Sequence, residues 1–158
     1  VLDPVMVSAS GARLLEDDAI SSLKTFVKDS LVVTPNLAEA EILADRKVRT
    51  LDDMKDAARR IQSLGGGSVL VKGSDLAGKE VKDIFFDGKT LKIFTHDKLP
   101  KKGHGTGCTL SSAIAAYLAR GEGLLDAVEM SLDFVHAALA NGYLAGQGGL
   151  TFLDQGRA

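Results

Sequence analysis

The stretch Lys101–Gly121, KKGHGTGCTLSSAIAAYLARG, sets glycines at 103, 105 and 107, a threonine and the chain's single cysteine immediately before a run of helix formers. The glycines let the backbone turn tightly. The residues after them enter a helix, so several N–H groups without intrahelical partners converge at its start. Together with the positive end of the helix macrodipole, such donors suit a phosphate or the developing charge of a phosphoryl-transfer transition state. The other reading of the same residues is a glycine-rich loop followed by Thr106 or Thr109 as an ordinary helix cap. A Walker loop is excluded, because it needs four residues between its glycines and a Gly-Lys-Ser/Thr ending.

Cys108 falls in the first turn of the expected helix, where the dipole favours a thiolate that could serve as a base. A lone cysteine also reads as a small buried hydrophobe. Its position beside an anion site, off any apolar face, favours chemistry. One cysteine forms no internal disulfide, which agrees with a reducing compartment.

Working outward, the pattern places a helix over about Thr106 to Arg120 and another over about Leu124 to Leu144, joined by GEG. Upstream, KDIFFDGKTLKIF carries Asp87-Gly88 between two β-prone runs, a hairpin signal and an antiparallel addition to the sheet. Before it, GGGSVLVKG gives a helix end at Gly65 to Gly67 and a continuous apolar strand over Ser68 to Lys72, the kind found in parallel sheets. A helix from Leu51 to Leu64 is introduced by TLDD, and Asn36 caps the helix NLAEAEILA. LVVTP is a second apolar strand stopped by Pro35, and Asp17 to Val27 a first helix. VLDPVMV reads as a buried strand that ends in the turn SASG, Ser8 to Gly11. Strands alternating with helices mean an α/β fold with a mainly parallel sheet, and no repeat or low-complexity linker divides residues 1–158, which are expected to be a single domain.

At 158 residues and 45% hydrophobic content the chain can bury a core, and with 19 basic against 21 acidic residues its net charge of −2 gives no field for nucleic acid or a membrane surface. Phosphate binding must be local. The apolar-leaning run Leu110 to Leu118 is too short to span a bilayer and no signal peptide is visible, so the expectation is a cytoplasmic protein. A strand as apolar as Val1 to Val5 belongs inside a sheet, yet it opens the chain without an initiator methionine; methionine removal would account for the second fact, and truncation, the expectation here, for both.

The segments DPVM, TPNLAEAE, VLVKG and GTGCTLSSAIAA, in this order, resemble the hydroxymethylpyrimidine/phosphomethylpyrimidine kinases of thiamine biosynthesis, members of the ribokinase-like superfamily. The resemblance runs from Val1 to about Gly146. It implies a three-layer α/β/α fold with a mainly parallel sheet, here without the N-terminal half that carries much of the pyrimidine pocket. It further implies that Gly105, Thr106, Gly107 and Cys108 form an anion hole, with Cys108 the base where the wider superfamily uses aspartate and also a substrate contact. Asn36 and Glu39 match an Asn-x-x-Glu motif that organises Mg²⁺ through water, although the residues alone also read as a helix cap with an acidic first turn. Asp3 matches a residue near the metal and transferred phosphate, and Val5 one that lines the pyrimidine pocket. A carboxylate inside an apolar strand needs a partner. Lys72 matches a lysine that reaches the phosphates of ATP; by itself it reads as a solvated strand end. His104 reads either as a donor to the phosphates or as an exposed loop residue. Two places depart from the family: Lys101, Lys102 and Gly103 stand where relatives have small polar residues, and the tail GQGGLTFLD is only loosely similar.

The resemblance therefore implies an ATP- and Mg²⁺-dependent phosphotransferase acting on a small-molecule pyrimidine, a homodimer at full length. Two alternatives stand beside it: pyridoxal kinase activity on the same scaffold, and a non-catalytic nucleotide- or phosphate-binding module.

Overall fold

The structure is a computed structural model that describes residues 1–7, 12–101, 103–145 and 149–158. The expected turn at Ser8 to Gly11 lies outside the described residues. The chain forms two compact units, Val1–Asp97 and Lys98–Ala158.

In the first unit, helix α1 (Asp17–Val27) leads to β1 (Val32–Val33), α2 (Leu37–Ala44), α3 (Leu51–Gln62), β2 (Ser68–Val71), β3 (Glu80–Phe86) and β4 (Leu91–Asp97). The sheet order is β1-β2-β3-β4. β1 and β2 run parallel, with Val32 opposite Ser68 and Val33 opposite Val69, whereas β2–β3 and β3–β4 are antiparallel. The sheet is thus mixed: its parallel part is made of the short apolar runs, and the hairpin of β3 and β4 adds the antiparallel part. The turn at residues 87–90 lets Asp87 Oδ1 accept the N–H groups of Lys89 and Thr90, while Gly88 takes a φ of 91°, a value open to glycine at little cost.

The opening strand is shorter than its apolar sequence predicts. Only Leu2 joins the sheet, by a parallel bridge to Val33, donating its N–H to Val32 O and accepting that of Thr34. Pro4 has no N–H to extend the ladder, and Val5 N–H donates back to Asp3 O at 2.9 Å, closing a three-residue turn. Val1 and Val5 consequently remain 43% and 44% exposed.

α3 shows how pattern becomes packing. Met54, Ala57, Ala58 and Ile61 recur at helical spacing and all are buried, joining Met6, Val27, Val33, Leu43, Val69, Val71 and Ile84 in one core. Thr50 and Asp53 close a capping box at its start. Past its end, Gly66 and Gly67 run so close to the α1–β1 connection that a Cβ would fall 2.7 Å from Val27 O and 2.6 Å from Leu31 O.

The second unit holds β5 (Gly103–His104), α4 (Thr106–Ala119), α5 (Leu124–Ala140), β6 (Tyr143–Leu144), β7 (Thr151–Phe152) and a final 3₁₀ turn, Gln155–Arg157. α4 ends where GEG predicts: Gly121 adopts a φ of 94°, and the N–H groups of Gly121 and Glu122 return to Leu118 O and Tyr117 O, a Schellman closure. α5 stops four residues before the expected Leu144. Asn141 and Gly142 end it, because Tyr143 and Leu144 pair antiparallel with β7, and Gly142 passes where a Cβ would lie 2.6 Å from Phe152 O. β7 in turn pairs parallel with β5, setting His104 opposite Phe152. Among the described residues no helix is long and apolar enough to cross a membrane.

Candidate active site

In the first unit the expected residues gather at the ends of the parallel strands. Lys72 follows β2, and its N–H donates to Pro35 O at 2.8 Å, carrying the parallel alignment past the end of β1. Its Nζ donates to Asp3 Oδ1 at 3.2 Å, both side chains being 15% exposed. The same oxygen accepts the Thr34 hydroxyl at 3.3 Å, and Thr34 is wholly buried. Asp3 thus has the partner its burial demands. Lys72 is no solvated strand end.

One turn of sequence away, Asn36 caps α2. Its Oδ1 accepts Glu39 N–H at 2.9 Å, and Glu39 Oε2 accepts Asn36 N–H at 2.8 Å, completing a capping box. Glu39 is unusual for a first-turn acid, being only 2% exposed, and its Oε1 also accepts Met6 N–H at 3.4 Å. Burial pushes its carboxyl above the ordinary value; the Asn36 N–H and the Lys72 ammonium act against that, while Asp3 adds to it. Glu39 therefore feels both Lys72 and Asp3, and the four expected residues Asp3, Asn36, Glu39 and Lys72 share one charge cluster.

Among the described residues no group of three or more His, Cys, Asp or Glu is arranged to hold a metal ion. Asp3 and Glu39 instead offer two carboxylates whose oxygens already accept ammonium, hydroxyl and amide donors. Such a set suits a cation that keeps most of its water shell, as Mg²⁺ does, and does not suit a dry protein cage.

Two residues of this cluster escaped the sequence reading. Thr34 has no signal beyond its place in LVVTP. Asp83 does: it sits in the β-prone run KDIFF, as Asp3 sits in VLDPV, and the rule that flagged one flags the other. It is 5% exposed, and its Oδ1 accepts Gly73 N–H at 2.8 Å.

In the second unit the glycine turn takes the expected form. Gly105 is the N-cap of α4 with a φ of 83°, a left-handed value, and no side chain caps the helix. Thr106 is the first helical residue, and Thr109 Oγ1 accepts from Gln155 Nε2 at 3.3 Å, so neither threonine acts as the ordinary cap. The first-turn N–H groups of Thr106, Gly107 and Cys108 have no intrahelical acceptor, as at any helix start. Among the described residues nothing lies within 4 Å of where a Gly105 Cβ would stand. Gly103 differs, being packed with a would-be Cβ 2.7 Å from Leu139 Cδ1. Cys108 and His104 are exposed. A cavity of about 580 Å³ opens beside the thiol, lined by Thr109, Ser112, Ala116, Tyr117 and Phe134 among others. The unusual Lys101 has a local explanation, since its Nζ donates to Ala140 O at 2.7 Å and Gly142 O at 3.3 Å, neutralising the C-terminal end of α5. Lys102 lies outside the described residues.

Phosphomethylpyrimidine kinase, as a family, matches residues 1–152. The chain belongs to this family. The hydroxymethylpyrimidine/phosphomethylpyrimidine kinase of Aquifex aeolicus is 42% identical over 150 residues, 94% of this chain and 59% of that protein. Its counterpart in Rhizobium meliloti is 45% identical over 143 residues, covering 89% and 54%. Among solved structures, pyridoxal kinase from Staphylococcus aureus in complex with AMP-PCP superposes with a TM-score of 0.89 at 33% identity, over 98% of this chain and 57% of that one. The likeness bears out the ribokinase-like α/β fold expected from the sequence. The chain spans about half the length of these relatives.

Proposed function

We propose that the protein carrying this chain is an ATP-dependent phosphotransferase that phosphorylates hydroxymethylpyrimidine and then its monophosphate in thiamine diphosphate biosynthesis. Residues 1–158 supply its nucleotide-binding part. The observation that carries the reading is the family match over residues 1–152, which includes an uncapped glycine turn at the start of α4.

The chemistry follows from the residues. Gly105 turns the chain so that the N–H groups of Thr106, Gly107 and Cys108 face a transferring phosphoryl group, whose charge they and the helix dipole stabilise. Cys108 Sγ takes the proton of the substrate hydroxyl as the oxygen attacks in line, and Val5 contacts the pyrimidine. Lys72 binds the phosphates of ATP and His104 donates to them. Asp3, Asn36 and Glu39 would hold Mg²⁺ through its waters, and the ion would supply charge neutralisation there. A cytoplasmic location and a homodimeric full-length enzyme belong to the same proposal.

A second reading, pyridoxal phosphorylation, is supported by the TM-score of 0.89 to a pyridoxal kinase and by 40% identity over 153 residues to a putative pyridoxine kinase of Treponema pallidum. One experiment separates the readings. ADP production is followed for this chain, alone and together with the portion of the Aquifex relative that it does not span, on hydroxymethylpyrimidine and on pyridoxal. Turnover on the pyrimidine supports the first reading and turnover on pyridoxal alone the second. ATP binding without turnover in either preparation points to a binding module. Absence of ATP binding overturns the nucleotide reading.

A further inference from the structure

Asp83 is a buried carboxylate that the chemistry above does not use. It stands on β3 beside Ile84 and Phe85, both buried, and is itself 5% exposed. Burial pushes its carboxyl above the ordinary value, with partial relief from the Gly73 N–H and from the charges of His96 and Lys72. A fold keeps such a group against its desolvation cost when the group holds something in place.

What it holds is the peptide that follows Lys72. Asp83 Oδ1 accepts Gly73 N–H at 2.8 Å. Gly73 is pressed so closely on β3 that a Cβ would lie 2.0 Å from Lys82 O, so no other residue fits there. On its other side, Lys72 N–H is bound to Pro35 O at 2.8 Å. The backbone is therefore fixed to β3 through Asp83 just after Lys72, and to the end of β1 at Lys72 itself. With both bonds made, the direction in which the lysine leaves the chain is set, and its Nζ reaches Asp3 Oδ1 at 3.2 Å with only 15% of the side chain exposed.

We propose that Asp83 is a positioning residue for Lys72: by accepting the Gly73 N–H it fixes the lysine's departure from β2 and keeps its ammonium in the cluster with Asp3. Its effect on nucleotide binding rests on the phosphate role assigned to Lys72. The hydrogen bond, more than the charge, performs this task, so asparagine, which keeps the acceptor, substitutes for aspartate and alanine does not.

The test reads Lys72 directly, without nucleotide, through its rate of modification by an amine-reactive reagent located by mass spectrometry, and through amide hydrogen exchange at Gly73. In Asp83→Ala, Gly73 exchange accelerates and Lys72 modification rises about fivefold as the side chain leaves its sheltered position; Asp83→Asn returns both toward the wild-type rates. ATP binding weakens about tenfold in Asp83→Ala, equivalent to one lost contact of about 1.4 kcal/mol, while KM for the alcohol substrate stays level. Should Asp83→Ala not fold, Asp83→Ser, small and polar but too short to reach Gly73, takes its place. An unchanged Lys72 modification rate in a folded Ala or Ser variant overturns the proposal. So does a folded Asp83→Asn variant as exposed at Lys72 as the alanine variant. If Lys72 is released as expected and ATP affinity does not move, the positioning stands and the phosphate role of Lys72 falls.

Discussion

The charge cluster of the first unit and the glycine turn of the second are built from opposite materials. Around Lys72, side chains carry the charge and each is held: Asp3 by Lys72 and Thr34, Glu39 by two backbone N–H groups, Asp83 by Gly73. At Gly105 the useful groups belong to the backbone, no side chain caps them, and the neighbouring Cys108 is exposed. Side-chain charges need burial and partners to stay in place, and substitution removes them one at a time. Backbone donors are placed by dihedral angles, so a single residue controls several of them. The first region should therefore respond to mutation in affinity and stability, the second in turnover.

The largest effect expected is at Cys108. Replacing it by alanine lowers turnover by about 10²–10⁴-fold, the range of a lost general base, while calorimetry finds ATP affinity within about twofold of wild type. Unchanged turnover removes Cys108 from the mechanism. Gly105→Ala comes next. With no described residue within 4 Å of its Cβ, the substitution acts through the left-handed φ of 83°, and relaxing that angle turns the first-turn donors away. Turnover falls about 10²–10³-fold, as for a lost oxyanion-hole donor, with little change in thermal midpoint. Equal losses in turnover and stability would show that the turn serves the fold.

Lys72→Met is milder for chemistry and harsher for the fold. It leaves Asp3 in a largely buried place without its ammonium, so KM for ATP rises about tenfold and the urea midpoint drops as well. A change in kcat alone would contradict the contrast between the regions. The smallest effect is a pH dependence. Glu39 has a raised carboxyl in the folded chain, so its contribution to stability is fully present below the unfolded value near 4.5 and is lost as pH rises through the folded value. In Glu39→Gln that loss disappears, and the urea midpoint of the variant relative to wild type improves as pH rises above about 4.5. A difference independent of pH would mean that the buried charge costs the fold nothing.

Local rules carried most of the fold into the sequence. The starts of α1, α2, α3 and α4, the Asp87-Gly88 hairpin and the Gly121 closure fall where periodicity, caps and glycines put them. Features set by distant pairing were not legible. α5 stops at Ala140 because β6 must reach β7, and the opening strand shrinks to Leu2 because Pro4 and a three-residue turn divert it. The candidate site divides in the same way. Asp3 announced a need for a partner by its apolar surroundings, but which residue met that need depends on how β2 lies beside β1, and only the fold brings Lys72 there. Asn36 and Glu39 were readable as a helix cap with an acidic first turn, yet the burial of Glu39 was not, since Met6 approaches it from 33 residues away.

The proposed function requires the backbone of the glycine turn to bind the phosphates. It is tested most directly by titrating the isotopically labelled chain with ATP, and separately with inorganic triphosphate, while following its backbone amides by NMR. Saturable shifts at Thr106, Gly107 and Cys108 with both ligands are expected, and loss of those shifts in Gly105→Ala. Saturable binding that leaves these three amides unmoved would contradict it.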